Sequence, residues 1–188
     1  DDVYLAFEVK KEDFSQFITS ARILPIKGFN VSMPYKVDIL PYLDELTPEA
    51  KLCHAVNTVK NINGKLIGHI SDGIGFVKAC QEKGWHLFQQ KVVILGAGGA
   101  CRAIVVALAQ YVSEIVIYNR SQKDWVQELN QQLTCPITLK SLSDLESLKK
   151  DLQESYLLIQ TTNVGMAPDE DECLIKDDTY LPADLKAA

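Results

Sequence analysis

Short apolar runs and longer amphipathic stretches alternate along this chain. Val92–Leu95 is an uninterrupted apolar run of strand length, and the longer apolar run 100–112 has the length of a helix. A second strand-like run, 114–118, follows it directly. Because strands and helices keep alternating through the sequence, the pattern predicts an α/β fold with mostly parallel sheets.

Proline and glycine separate the predicted elements. Pro25 follows the amphipathic stretch 12–23, and Gly84 follows the stretch 72–83, as is usual at helix ends. Residues 61–64, Asn-Ile-Asn-Gly, are typical of a hairpin turn. The predicted elements are strands at 3–9, 29–31, 55–60, 65–70, 92–95, 114–118, 137–139 and 156–159, helices at 12–23, 37–46 (bent near Pro41), 72–83, 100–112, 124–133 and 143–150, and a helix that begins at Thr47-Pro48.

Three glycines lie between the strand 92–95 and the helix that follows it. A diphosphate needs bare backbone N–H groups and the positive end of a helix, and side chains would keep it away. Gly96 allows the tight turn and Gly98 allows close approach of the diphosphate, while the third position of the fingerprint is Cys101, which is small enough for tight packing. The pattern predicts a dinucleotide site, and a glycine-rich turn without a ligand is the alternative.

The next strand ends in Asn119-Arg120-Ser121. In NAD-binding units an acidic residue at this point bonds the ribose hydroxyls. Here no carboxylate follows the strand, and the guanidinium of Arg120 can bind a 2′-phosphate with two hydrogen bonds. The segment therefore favours NADP over NAD, unless Arg120 is simply a solvated surface residue.

Polar residues in the first half follow strands or lie in tight turns, and a lysine, an asparagine and an aspartate at strand ends can converge on one pocket. Lys36 near Asp72 could shuttle a proton to or from an alcohol or ketone, and Asn57 could orient the hydroxyls beside it. Taken singly, Lys36 would usually be a solvated charge, Asn57 a turn former and Asp72 a helix N-cap. The polar residues of interest are Asn30, Ser32, Lys36, Asn57, Thr58, Ser71 and Asp72.

Composition and charge exclude several classes of protein. The net charge of −6 argues against a nucleic-acid partner. No apolar run approaches the roughly 20 residues of a membrane span. The five cysteines are scattered, odd in number and without a CxxC pair, which argues against a metal site or a disulfide framework and favours a reducing cytoplasm.

Six motifs, in this order, resemble the shikimate dehydrogenase family, which includes the quinate/shikimate dehydrogenases. The motifs are GFNVSMPYK, AVNTV, SDGIGF, VVILGAGGACRA, IYNRS and TTNVGM, and the resemblance extends from about residue 3 to residue 182. It implies NADP-dependent, reversible reduction of 3-dehydroshikimate to shikimate in aromatic amino-acid biosynthesis. It also implies two α/β domains, a substrate-binding domain at residues 1–84 with a mostly parallel sheet and a Rossmann-like NADP domain at residues 85–188.

The resemblance assigns roles to individual residues. Lys36 and Asp72 are expected to form the catalytic pair, and Ser32 and Asn57 join them in binding the substrate. A small-molecule substrate and a monomer or homodimer are expected, with no metal, nucleic acid or membrane partner. The residues expected to bind the cofactor are Gly96, Ala97, Gly98, Gly99 and Ala100 at the diphosphate, Asn119, Arg120 and Ser121 at the adenosine ribose, and Thr162 and Asn163 farther along the dinucleotide.

This chain departs from the family pattern at several points. Ile70 and Ser71 stand where the family usually has Asn-Thr, which puts the hydrogen bonding there in question, and Asp124 stands where a second basic residue is frequent. The resemblance further implies an earlier strand and a later C-terminal region, so we expect the chain to be part of a longer enzyme. An NAD-preferring quinate/shikimate dehydrogenase and a non-catalytic dinucleotide-binding module are the alternatives.

Overall fold

The computed structural model describes residues 3–168 and 170–188 of the chain. The chain divides into two compact units, one up to Ser71 and one from Asp72 onward. Both combine helices with a β-sheet, so the predicted α/β class is confirmed.

The first unit contains a four-stranded sheet of order β1-β3-β4-β2. β3 and β4 form an antiparallel hairpin, β1 is antiparallel to β3, and β2 is parallel to β4. Its elements are α1 (Phe14–Ile23), β1 (Gly28–Asn30), β2 (Glu45–Leu46), α2 (Pro48–Cys53), β3 (Thr58–Ile62) and β4 (Lys65–His69).

The expectation of a mostly parallel sheet is wrong for this unit, because the tight turn between β3 and β4 reverses the chain at once. Asn63 and Gly64 have φ of 53° and 87°, values typical of the two-residue turns that join antiparallel strands. The predicted hairpin is thereby confirmed. Thr47 also caps α2 as expected, since its Oγ1 accepts a hydrogen bond from the Ala50 amide at 3.3 Å with Pro48 at the first helical position.

Two predicted elements of the first unit are wrong. Residues 3–9 form no ladder with another strand within the described part of the chain, and Val3, Tyr4 and Phe7 are largely exposed; a strand needs a hydrogen-bonded neighbour. The predicted helix 37–46 is a series of turns, a 3-10 turn at Leu40–Tyr42 and then β2. Pro41 has no amide for a helical hydrogen bond, and the following residues pair with β4 instead.

The second unit contains a five-stranded sheet of order β7-β6-β5-β8-β9 in which every pairing is parallel. The central strands are almost fully buried, which explains their unbroken apolar runs. Its elements are α3 (Asp72–Glu82), β5 (Lys91–Leu95), α4 (Gly99–Leu108), β6 (Glu114–Asn119), α5 (Asp124–Asn130), β7 (Ile137–Ser141), α6 (Leu145–Gln153), β8 (Leu157–Gln160) and β9 (Lys186–Ala187).

Helix α3 packs against α4, which is why the second unit begins at Asp72. A Cβ on Gly73 would lie only 2.1 Å from the Ala103 carbonyl oxygen, so glycine lets the two helices approach closely. The boundary between the two compact units thus lies before α3. The boundary predicted from the sequence between the substrate-binding and NADP-binding domains lies after α3, near residue 84. The functional division remains a prediction.

Asp151 on α6 is buried, and three donors satisfy its carboxylate. Lys91 Nζ lies 2.9 Å from Oδ1, and Lys140 Nζ and the Tyr118 hydroxyl lie 2.7 and 2.6 Å from Oδ2. Burial alone would raise the pKa of Asp151, but the hydrogen bonds from Lys140, Tyr118 and Lys91 outweigh it and lower the pKa. This network ties α6 to β5, β6 and β7.

Candidate substrate and dinucleotide sites

Gly96 ends β5 in a conformation that other residues rarely adopt. Its φ is 95°, and its amide donates to the Tyr118 carbonyl oxygen at 2.8 Å. A Cβ at this position would lie 2.7 Å from Thr162 Cγ2 and 2.8 Å from Thr161 Oγ1. Both the backbone and the available space therefore require glycine, in agreement with the turn that the sequence indicates.

The next residues leave open space in front of helix α4. A Cβ on Gly98 or on Gly99 would meet no atom within 4 Å, and Gly98, Gly99 and Ala100 are exposed while Ala97 is buried. Gly98 is the N-cap of α4 and supplies no side-chain acceptor. The first amides of a helix lack partners within it, so a helix start of this kind offers N–H groups to an anion.

Cys101 fills the third position of the glycine fingerprint as a packing residue. Its side chain is fully buried, and burial raises the pKa of the thiol to about 12 despite a hydrogen bond with Thr161. A thiol that stays protonated is a poor nucleophile. The structure therefore supports the packing role for this position.

A cavity of about 370 Å³, here called the ribose cavity, lies where the carboxyl ends of the parallel strands meet. It brings together four of the residues expected to bind the cofactor, namely Gly96, Asn119, Arg120 and Thr162. Asn119 Nδ2 donates to the Ser121 carbonyl oxygen at 2.8 Å and lies 3.3 Å from Ser121 Oγ, which holds the turn after β6 in place. The other six residues expected to bind the cofactor do not line this cavity, namely Ala97, Gly98, Gly99, Ala100, Ser121 and Asn163.

Sequence reasoning missed a second wall of the ribose cavity. This wall comes from residues 171–176, here called the 171–176 loop, and the residues that line the cavity are Asp171, Glu172, Cys173, Leu174 and Lys176. The loop lies far along the chain from the glycine turn and matches none of the quoted motifs. No local pattern in the sequence could have placed it there.

In the first unit, Ser32, Lys36 and Asn57 line one cavity of about 730 Å³, so the structure brings these three predicted substrate residues together. Asn30 joins them. The cavity also borders residues 3–9 and β1, and aromatic rings supply much of its apolar wall.

A hydrogen-bond chain holds the Asn57 amide in place. Asn57 Oδ1 accepts from the Ser71 amide at 3.1 Å and from Thr58 Oγ1 at 2.9 Å, and Asn57 Nδ2 donates to Ser71 Oγ at 3.1 Å. Ser71 thus supplies both a backbone and a side-chain partner, while Ile70 is buried in the core. The departure Ile70-Ser71 leaves this part of the bonding intact.

Tyr4 extends the same chain and was missed by sequence reasoning. Its hydroxyl donates to Asn30 Oδ1 at 3.0 Å, and Asn30 Nδ2 lies 3.2 Å from Thr58 Oγ1 and 3.3 Å from the Asn57 carbonyl oxygen. Asn30 and Thr58, which the sequence marked only as polar, therefore support Asn57. A tyrosine within an apolar run carries no signal of such a role.

Asp72 is the first residue of α3, in the second unit. The pairing of Lys36 with Asp72 remains a prediction, as do the ligand contacts of the other site residues. In the described part of the chain, no three or more His, Cys, Asp and Glu side chains are grouped so that they could hold a metal ion. No described helix is both long enough and apolar enough to cross a membrane.

Comparison with known proteins assigns both segments of the chain to one enzyme family. Residues 1–59 match the family model described as the shikimate dehydrogenase substrate binding domain, and residues 78–166 match the model described as shikimate / quinate 5-dehydrogenase. The chain belongs to the shikimate dehydrogenase family. The resemblance inferred from the six motifs is thereby confirmed.

Individual members of the shikimate dehydrogenase family match almost the whole chain. It is 43% identical over 194 residues to the shikimate dehydrogenase (NADP(+)) of Streptococcus pyogenes serotype M28 and 40% identical over 192 residues to that of Listeria monocytogenes, covering 98% of this chain and 66% of each relative. A crystal structure of shikimate 5-dehydrogenase from Listeria monocytogenes in complex with shikimate and NAD superposes with a TM-score of 0.93 at 39% identity, over 98% of this chain and 66% of that one. The chain thus spans about two thirds of the length of these relatives.

Proposed function

We propose that this chain carries the substrate-binding and dinucleotide-binding parts of an NADP-dependent shikimate dehydrogenase. The reaction is the reversible reduction of 3-dehydroshikimate to shikimate in aromatic amino-acid biosynthesis. The observation that carries this proposal is the 40–43% identity to curated shikimate dehydrogenases (NADP(+)) along 98% of the chain. Because the chain spans 66% of those relatives, the activity is proposed for the whole protein. The scattered cysteines support a cytoplasmic location.

In this proposal Lys36 and Asp72 form the proton-transfer pair. Hydride passes between the nicotinamide and the carbon that bears the reacting oxygen, and Lys36 supplies a proton to that oxygen during reduction. Asp72 orients the lysine and tunes its proton affinity. Asn57, held by Thr58 and Ser71, binds a substrate hydroxyl in a fixed direction, and Ser32 binds another.

The cofactor assignment follows the carboxyl edge of the parallel sheet. Gly98, Gly99 and the start of α4 are proposed to receive the diphosphate, since no side chain obstructs the space before them. Asn119 and Arg120 are proposed to hold the adenosine ribose and its 2′-phosphate. NADP is the cofactor in the names of the curated relatives, and NAD is bound in the Listeria monocytogenes structure. An NAD-preferring quinate/shikimate dehydrogenase is therefore the second candidate.

A spectrophotometric assay separates these candidates. Reduction of NADP+ and of NAD+ is followed with shikimate and with quinate on the full-length protein. Turnover of shikimate with NADP+ supports the proposal, and turnover of quinate with NAD+ supports the second candidate. Dinucleotide binding without turnover of either substrate would leave the non-catalytic module as the function.

Lys36→Ala tests the proton donor. We expect kcat to fall by about 10²- to 10⁴-fold, the usual contribution of general acid–base catalysis, while NADP+ affinity changes little. Lys60→Ala is the matched control, because Lys60 is an exposed lysine on β3 that does not line the cavity containing Ser32, Lys36 and Asn57. A Lys36→Ala variant that keeps more than about half of the activity would remove Lys36 from the mechanism.

A further inference from the structure

The 171–176 loop is a fixed part of the ribose cavity. Leu174 packs against the buried apolar cluster of the second unit, and Cys173 Sγ donates to the Ile175 carbonyl oxygen at 3.1 Å. The Glu172 carbonyl oxygen lies 3.1 Å from the place that a Cβ on Gly165 would occupy. The backbone at the beginning of the 171–176 loop therefore lies close to Gly165. These contacts place the side chains of the loop at the cavity that holds Arg120.

The charges around this cavity are mixed. The 171–176 loop contributes two carboxylates, on Asp171 and Glu172, and one ammonium, on Lys176, while Arg120 contributes a guanidinium from the turn after β6. Within the described part of the chain, none of these four residues forms an ion pair of 4 Å or less with any charged residue, either among the four or elsewhere. Their charges therefore act on whatever molecule occupies the cavity.

We propose that Asp171 and Glu172 set the selectivity between NADP and NAD by opposing the 2′-phosphate that Arg120 attracts. This inference rests on the proposed function, because it takes the cavity as the site of the adenosine ribose. A phosphate monoester carries a charge of about −1.5 to −2 at neutral pH, so two nearby carboxylates repel it. The 2′-hydroxyl of NAD carries no charge and can donate a hydrogen bond to a carboxylate.

The consequence is a weak preference for NADP, with both dinucleotides accepted. The absence of a carboxylate directly after β6 favours NADP. The folded chain nevertheless places two carboxylates, from the 171–176 loop, in the same cavity. Selectivity is then a difference between two opposed electrostatic contributions. Both contributions are screened by salt, so selectivity also depends on ionic strength.

The test compares the dissociation constants of NADP+ and NAD+ for the full-length protein and its Asp171→Asn/Glu172→Gln double variant, by isothermal titration calorimetry. At low ionic strength the double variant should bind NADP+ about threefold to tenfold more tightly, while its affinity for NAD+ should change by less than about twofold. The gain should shrink as salt is added. A double variant whose NADP+ affinity stays within twofold of the parent, or whose NAD+ affinity rises equally, overturns the proposal.

A matched control removes two negative charges elsewhere in the second unit. Glu82 and Asp184 are exposed, and neither lines the ribose cavity. The Glu82→Gln/Asp184→Asn variant should leave the ratio of the two affinities within about twofold of the parent. A shift as large as that of the Asp171/Glu172 variant would mean that net charge, and not the loop, sets the selectivity.

Cys173 gives a readout that needs no turnover. It lines the ribose cavity and is exposed, whereas Cys53, Cys80, Cys101 and Cys135 are buried. Bound NADP+ should slow alkylation of Cys173 by iodoacetamide, and unprotected alkylation at saturating NADP+ would show that the loop does not border the ligand. If the full-length protein does not turn over shikimate but the double variant still binds NADP+ more tightly, only the proposed reaction is contradicted. If it turns over shikimate but the double variant does not change NADP+ affinity, only this inference is contradicted.

Discussion

Replacing Asp151 by asparagine removes one charge from a buried network and leaves its shape nearly unchanged. Asp151 is the only buried charged residue in the described part of the chain. Its loss leaves the fully buried Tyr118 hydroxyl and the Lys140 ammonium facing an amide in place of a carboxylate. Breaking a buried pair by removing one partner typically costs about 3–5 kcal/mol.

The surroundings place the expected cost at the lower end of that range. Lys91 keeps Glu154 at 3.0 Å and Glu114 at 3.8 Å, and the Lys140 side chain is 33% exposed and can reach water. We therefore expect Asp151→Asn to lower the free energy of unfolding by about 3 kcal/mol. For a cooperative unit of roughly 120 residues, with an unfolding entropy of about 2.1 cal/mol/K per residue, this cost corresponds to a fall in Tm of about 12 °C.

Urea unfolding and differential scanning calorimetry measure both quantities. Glu154→Gln is the matched control, because it removes a carboxylate from the same Lys91 at a half-exposed position; it should cost less than about 1 kcal/mol. If Asp151→Asn were no more destabilising than Glu154→Gln, the assignment of the network as a major source of stability would be refuted.

The remaining predictions concern pH, the glycine turn and the substrate site. The pKa of Asp151 is lowered in the folded state, so its contribution to stability is complete above the unfolded pKa of about 3.9 and is lost as the pH falls further. In urea titrations at different pH values, the difference in the free energy of unfolding between the parent and Asp151→Asn should be constant from about pH 6 to 9 and shrink below about pH 4. Gly96→Ala should cost about 2–4 kcal/mol and abolish dinucleotide binding, whereas Gly84→Ala, with φ of 72° and open space around it, should cost only the backbone strain of about 1–2 kcal/mol; equal costs by urea unfolding would contradict the steric argument. Ser71→Ala should raise KM for shikimate several-fold through loss of about 1 kcal/mol of hydrogen bonding to Asn57, and Ser71→Thr, which keeps the hydroxyl, should restore the parent value in steady-state assays.

The sequence by itself determined the elements whose chemistry is local. The glycine turn after β5, the Thr47-Pro48 start of α2 and the turn at Asn63-Gly64 each depend on neighbouring residues, and the structure contains all three. The apolar runs of β5, β6 and β8 predicted a buried parallel sheet, because a strand that is covered on both faces has apolar residues at successive positions and not at alternate ones. The order of the six motifs then indicated the family, and the site residues assigned from it remain predictions.

The tertiary structure decided whatever depends on distant partners. Residues 3–9 have the apolar residues of a strand but form no ladder within the described part of the chain, and residues 37–46 have a helical pattern that Pro41 and the pairing of β2 with β4 override. The convergence of Lys91, Lys140 and Tyr118 on Asp151, and the arrival of the 171–176 loop beside Arg120, join residues 11 to more than 50 positions apart. Local propensity extends over a few residues, whereas burial and electrostatic pairing depend on which segments the folded chain brings into contact.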